Sequence, residues 1–384
     1  MGSLAICGAR LFDGERFHED SHLVISDGCI VGITAGSPAS NLPVKQLSGG
    51  ILSPGFVDVQ VNGGGGVMLN DAPSSNTMAT IAKAHRRFGT TALLPTLITD
   101  SREKTIAAID AAATAHDMHV PGVIGLHLEG PHLDPARKGA HLEKFMRPLL
   151  ADDIAIYAEA AKRVGILLLT LAPAQTTPEA VAQLSAAGVI VSIGHAQATA
   201  DEAEALFDAG ARGVTHLFNA MSGLSHREPG LVGAALTRGD VWCGIIADGH
   251  HVDRRAIEVA LAAKQGPGRV FLVTDAMALV GSEQKAFILN GRQVRRTDGA
   301  FCPKLTLEDG TLAGSDIDMA TSIRLLVKEA GVPIADALRR ATADPADFLG
   351  IGTVRGRLVP GARADLVHLD DGMKVKNVWL AEDL

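Results

Sequence analysis

The sequence predicts an α/β protein: a (β/α)8 barrel of the TIM type, with a small β-sandwich domain built from both chain ends. Two observations predict it. Between residues 51 and 345, eight short apolar segments of strand character alternate with helical segments. On either side, residues 1–50 and 346–384 are rich in short strands and glycine turns. Eight buried parallel-type strands with crossovers favour a closed barrel, and a doubly wound open sheet is the alternative with the same alternation.

The first 50 residues read as strands over 4–6, 23–25 and 30–33, with Asp27-Gly28 as a hairpin signal. The last stretch mirrors them, with strands over 364–369 and 375–380 around Asp371-Gly372. Neither end can bury a core alone, so the two are expected to pair. The barrel strands are expected at 57–61, 91–97, 123–128, 166–171, 189–193, 213–216, 241–247 and 270–274. Helices fall between most of them: 77–88 closing at Gly89, a run from Ser101 to 115, and one from Asp152 to 163. Thr177-Pro178 supplies a cap and a first-turn proline, Asp201 and Asp253 open two more helices, and 319–330 and 333–341 follow the eighth strand.

Of the 384 residues 47% are hydrophobic and 20% charged, enough apolar material for a sizeable core. The net charge of −8, without long runs of either sign, argues against a nucleic-acid or anionic-membrane partner, while a local basic pocket can still take an anionic substrate. Cys7, Cys29, Cys243 and Cys302 are far apart and form no CxxC pair, so neither a disulfide framework nor a thiolate zinc site is expected. Residues 1–12 lack a basic start followed by an apolar run, Ile6 stands where a myristoylation motif wants Ser or Thr, and the apolar stretch 164–174 is too short to span a bilayer. The expectation is a cytoplasmic protein.

The chemistry is marked by where polar residues fall. The third strand ends at Glu129, the fifth runs into Gly194-His195, and the sixth reaches Thr215-His216. The seventh runs into Asp248-Gly249-His250-His251 and the eighth into Thr274-Asp275. Each titratable group follows an apolar strand at its C-terminal end, the face that carries active sites in barrel enzymes. Singly, each has an ordinary explanation: a strand-end histidine is commonly a hydrogen-bonded structural residue, Glu129 can cap a turn and Asp275 can cap a helix. Together, Glu129, His195 and His216 offer one carboxylate and two imidazoles to a catalytic Zn2+, with Fe2+, Co2+ or Mn2+ as other acceptable ions. Such an ion acidifies a water and polarises a scissile carbonyl. Asp275 is the natural general base, later returning a proton to the departing amine.

At these residues the sequence resembles the N-acetylglucosamine-6-phosphate deacetylase family of the amidohydrolase superfamily. Its carriers are the runs Pro54 to Gly63, Gly125 to Pro131, Lys138-Gly139-Ala140-His141, Gly194-His195 and His216 to Met221. Arg227-Glu228-Pro229-Gly230, Ala247-Asp248-Gly249 with His251, Thr274-Asp275-Ala276 and Leu312-Ala313-Gly314-Ser315 complete them. The resemblance implies that Glu129, His195 and His216 hold one metal, that Asp275 is the acid/base, and that His141 orients or polarises the acetamido carbonyl. It further implies phosphate recognition by backbone amides at Asn219 and Ala220 with Arg227 and His251 as cationic donors, and sugar contacts at Ala140, Leu312, Ala313, Gly314 and Ser315. It implies a homodimer that shares the phosphate site across subunits.

Where many amidohydrolases carry a His-x-His pair for a second metal, this sequence has Gln60-x-Asn62, two poor ligands, which implies one ion per subunit. No role is assigned to His226 or His250. The runner-up activities are an amidohydrolase acting on N-acetylgalactosamine 6-phosphate or an N-acyl amino acid, and a cyclic-amide hydrolase. A non-catalytic barrel is disfavoured because all four catalytic groups are present.

Overall fold

The computed structural model describes residues 2–384. At its centre, eight parallel strands follow one another in chain order. They are β1 (Phe56–Val61), β2 (Thr90–Ile98), β3 (Gly125–Glu129), β4 (Ile166–Leu171), β5 (Ile190–Ile193), β6 (Gly213–Val214), β7 (Trp242–Ile246) and β8 (Val270–Val273). The ring closes where β8 returns to β1: the Asp275 N–H donates to the Gln60 carbonyl at 3.0 Å, and the Asn62 N–H to the Ala276 carbonyl at 2.9 Å. The closed barrel, not the open sheet, is therefore the fold. A near-continuous burial of the strands is what parallel pairing under a helical layer requires.

Most helices begin where the sequence places a cap. Ser101, Thr177 and Asp253 each accept from a backbone N–H of the first turn of Arg102–Asp117, Pro178–Ala186 and Arg254–Ala263. The helix expected from Asp201 starts earlier, at Ala200–Asp208, because Thr199 and Glu202 form a capping box. The helix Ala343–Phe348 plugs the N-terminal mouth of the barrel, where Phe348 stacks on Phe271 with ring centroids 5.1 Å apart.

The chain ends meet. Ile51–Pro54 pairs antiparallel with Leu366–Leu369, which pairs in turn with Val375–Trp379. A second sheet of Cys29–Ala35, Ser21–Ser26, Ser3–Cys7 and Val44–Gln46 shares an apolar cluster with the first through Ile6, Leu23, Leu52 and Leu366. Ile51–Pro54, just past the expected boundary at residue 50, thus serves the small sheets rather than the barrel.

An inserted three-stranded sheet is among the elements not anticipated. Between β8 and the helix Met319–Lys328 lies a three-stranded antiparallel sheet of Ala286–Leu289, Arg292–Thr297 and Lys304–Thr306. Its turn is Asn290-Gly291, both with positive φ (53° and 77°), the pairing that a two-residue hairpin demands. Leu289, Val294 and Leu305 bury against Met277 and Ala313, so the insertion sits on the C-terminal face of the barrel.

Beneath that face, Asp58 is buried between β1 and β8, accepting from the Thr274 hydroxyl (2.6 Å) and the Thr274 N–H (3.3 Å). Burial, with the charge of Asp275 adding to it, pushes the Asp58 carboxyl up to about 7. Because the folded-state value is raised, its contribution to stability is present below the unfolded value near 4 and is lost as pH rises through about 7. A shift of roughly three units corresponds to about 4 kcal/mol at most. The variant Asp58→Asn keeps the acceptor for the backbone N–H, and the Thr274 hydroxyl can turn to the Gln60 carbonyl at 3.4 Å. Its melting temperature relative to the parent is therefore expected to be several degrees higher at pH 8 than at pH 5. An equal difference at both pH values would show that Asp58 is ionised throughout.

Candidate active site

The C-terminal ends of the strands converge on one buried cluster. Glu129, the last residue of β3, has its Oε1 2.9 Å from His216 Nε2 and 3.2 Å from His195 Nε2, and the two imidazole nitrogens are 3.0 Å apart. All three side chains are nearly inaccessible. Ligand atoms ~2.0–2.1 Å from a tetrahedral zinc stand about 3.3 Å from one another, so this triangle has the dimensions of a metal-binding face. His195 reaches it at φ 47° and His216 at φ 32°, and Asp275 follows β8 at φ 51°. Left-handed backbone at three non-glycine residues is strain that a well-packed site sustains. Gly194, before His195, is required: a Cβ there would stand 2.9 Å from Thr170 Cγ2 and 3.0 Å from Thr215 Cβ.

The donor set fits a divalent cation. His195 Nδ1 donates to the Arg137 carbonyl at 2.8 Å, which leaves the Nε2 lone pair facing the cluster. Burial alone would raise the Glu129 carboxyl, but the imidazoles gathered around it, His195 and His216 foremost, hold it well below its ordinary value. Glu129 and His195 also stand with His141 in a group whose ligand atoms lie within 4.8 Å of one another. His141 differs from His195 in its tautomer. The Thr99 N–H donates to its Nδ1 at 3.3 Å, so the proton of the neutral ring is on Nε2, which points toward Glu129 Oε2 at 3.8 Å. Burial and the neighbouring His195 push His141 down to about 3, keeping it neutral. It is thus a donor, not a lone pair.

Asp275 faces the triangle. Asn62 Nδ2 and Gln60 Nε2 both donate to its Oδ1, at 2.6 and 3.2 Å, and Gln60 Nε2 also donates to Glu129 Oε1 at 3.0 Å. The two carboxamides that replace a His-x-His pair therefore bind carboxylates with their N–H groups. Burial, with the charge of Glu129 adding to it, pushes Asp275 up to about 6.

Above the cluster opens a cavity of about 250 Å3 lined by Glu129, His141, His195, His216 and Asp275. Ala140, Asn219, Ala220, His251, Leu312 and Gly314 complete its wall among the expected contacts. Three expected contacts lie elsewhere. Ala313 and Ser315 alternate with the lining residues and face away, Ala313 into the core and Ser315 donating to the Thr274 carbonyl at 2.5 Å. Arg227 is exposed on the segment 223–229, outside this chain's own cavity, as is His226. His250 turns to the Cys302 carbonyl at 3.0 Å. A larger space of about 510 Å3, at the opposite end of the barrel, is lined by none of these residues.

The amidohydrolase family profile matches residues 51–382. The chain belongs to the amidohydrolase family. Across 98% of its length it is 41% identical to an N-acetylgalactosamine-6-phosphate deacetylase of Shewanella sp. (strain ANA-3), covering 94% of that protein. Among solved structures it resembles an N-acetylglucosamine-6-phosphate deacetylase from Pasteurella multocida (TM-score 0.94, 32% identity, 99% of each chain). It also resembles an aspartate-to-alanine mutant of the Mycobacterium smegmatis N-acetyl-D-glucosamine-6-phosphate deacetylase in complex with N-acetyl-D-glucosamine-6-phosphate (TM-score 0.90, 32% identity, 99% and 98% coverage).

This amidohydrolase is a metal-dependent enzyme by family. Sequence reasoning named Asp248 at the end of β7 but gave it no role. Asp248 accepts the His250 and His251 N–H groups on Oδ1, both at 2.8 Å, and takes His251 Nδ1–H on Oδ2 at 2.6 Å. His251 thus keeps Nε2 for the cavity. The Asp-x-x-His spacing at the end of an apolar strand was the available signal. Among the described residues no helix is long and apolar enough to cross a membrane.

Proposed function

We propose that this amidohydrolase hydrolyses the acetamide of N-acetylglucosamine 6-phosphate to glucosamine 6-phosphate and acetate. The observation that carries the reading is the triangle of Glu129, His195 and His216, with side lengths of 2.9–3.2 Å, lying beneath Asp275 and His141. Those three residues would hold one divalent ion, for which the ligand types favour Zn2+; when bound, it supplies an acidified water and draws charge from the carbonyl. The chain's own groups do the rest. Asp275 has Oδ1 fixed by Asn62 and Gln60, leaving Oδ2 to take a proton from the attacking water and return it to the departing amine nitrogen. His141 Nε2–H donates to the carbonyl oxygen as negative charge builds there. The Asn219 and Ala220 backbone and His251, on the cavity wall, would receive the hexose phosphate. Arg227, exposed beyond its own cavity, fits a homodimer in which it completes the neighbouring subunit's phosphate site. Four free cysteines accord with a reducing, cytoplasmic setting.

A second reading, N-acetylgalactosamine 6-phosphate as the preferred epimer, is favoured by the 41% identical Shewanella relative. Steady-state deacetylation of both 6-phosphates and of the free N-acetylhexosamines, after reconstitution with Zn2+, tests both. The phosphorylated sugars are expected to react with kcat/KM at least about 100-fold above the free sugars, since a charge-assisted anion site is lost without phosphate. The faster of the two epimers decides the substrate. Equal rates with and without phosphate would remove the phosphate reading, and a preference for N-acyl amino acids would replace it.

A further inference from the structure

The turn over the metal centre is pinned from two sides. Residues 138–141 close on themselves through the His141 N–H donating to the Lys138 carbonyl at 3.0 Å. On one side His141 is fixed by Thr99. On the other, Arg292 of the antiparallel insertion donates from Nη2 to the Ala140 carbonyl at 2.5 Å. Arg292 is half-buried, its Nε is enclosed without a hydrogen-bond partner, and the charge of Asp309 lies nearby, so the bond to Ala140 is the hydrogen bond that fixes this guanidinium. Ala140 also packs its methyl group against the apolar cluster to which the insertion contributes Leu289, Val294 and Leu305. Within the turn, Gly139 approaches so closely that a Cβ would stand 3.4 Å from His195 Cε1, and the His141 and His195 rings are 4.3 Å apart. A displacement of Ala140 therefore moves His141 relative to the metal ligands.

We propose that Arg292 is a positioning residue: through the Ala140 carbonyl it sets where His141 Nε2 points, and so couples the insertion to the reaction centre. This rests on the reading of His141 as the donor to the acetamide carbonyl. Such a residue acts on the rate of the bound complex, because a misdirected donor weakens the transition state more than the substrate.

The test is a double-mutant cycle of Arg292→Ala and His141→Asn in the Zn2+-loaded full chain, with Arg292→Lys as the conservative variant. Arg292→Ala is expected to lower kcat roughly tenfold with KM and bound zinc little changed. Arg292→Lys should recover part of the loss, and added guanidinium should restore activity to Arg292→Ala. In the His141→Asn background the same change should cost less than about twofold. A full tenfold cost in both backgrounds, or no cost in either, would overturn the inference while leaving the reading of His141 intact. Wild-type turnover by His141→Asn alone would overturn that reading and the inference together. Should Arg292→Ala fail to fold, Arg292→Lys and Arg292→Gln complete the same cycle.

Discussion

Replacing Asp275 with Asn is expected to lower kcat by about 1000-fold while leaving the metal bound and KM within a few-fold of the parent. The asymmetry of its hydrogen bonds explains why. Asn62 and Gln60 both donate to Oδ1, so the new amide turns its oxygen to them and its NH2 group takes the place of Oδ2. That NH2 has no lone pair with which to accept a proton from water. The ion-binding triangle does not include Asp275, so affinity for the metal is retained. Zinc analysis together with initial rates separates the two effects. Residual activity within tenfold of the parent would place the base on another residue.

The second large effect is expected at Glu129. The variant Glu129→Gln keeps size and a single acceptor oxygen, but it removes the buried negative charge that two imidazoles face at 2.9 and 3.2 Å. Three ligands with one anion then become three neutral ones, and the site loses its electrostatic hold on a dication. Both bound zinc and turnover are expected to fall by at least about 100-fold, and turnover should recover in part at high added metal. The structural cost is small, because Gln60 Nε2 still finds an oxygen at residue 129. Unchanged zinc content in Glu129→Gln would mean that Glu129 does not hold the ion.

Much of this site was legible in the sequence because a barrel has a simple grammar. Side chains that follow an apolar strand at its C-terminal end share one face, so Glu129, His195, His216 and Asp275 could be brought together from spacing alone. The strand limits followed from apolar runs for the same reason. Other features left weaker traces. The helix Gly230–Thr237 is buried on every side, so it carries no amphipathic period by which to be recognised. The inserted sheet did carry a signal, Asn290-Gly291 between apolar alternations, that the barrel pattern overshadowed. Arg292 and Asp248 act through neighbours rather than on the substrate, and such contacts depend on tertiary placement that no local spacing encodes. Arg227 is different: its motif is visible in the sequence, but the structure sets it on an exposed segment away from the cavity of its own chain.

Sequence alone says that Gln60 and Asn62 are poor ligands. The structure adds that their N–H groups are already spent on Asp275 and Glu129, tying the proposed base to a proposed ion ligand at short range. A second ion at that position would have to displace donors that both carboxylates use.

The most direct test of the account is a titration of the metal-free chain with Zn2+, following acetate release from N-acetylglucosamine 6-phosphate at each addition. Activity is expected to rise linearly and to level off at one ion per chain. Full turnover without metal, or a plateau reached only at two ions per chain, would contradict the single centre formed by Glu129, His195 and His216.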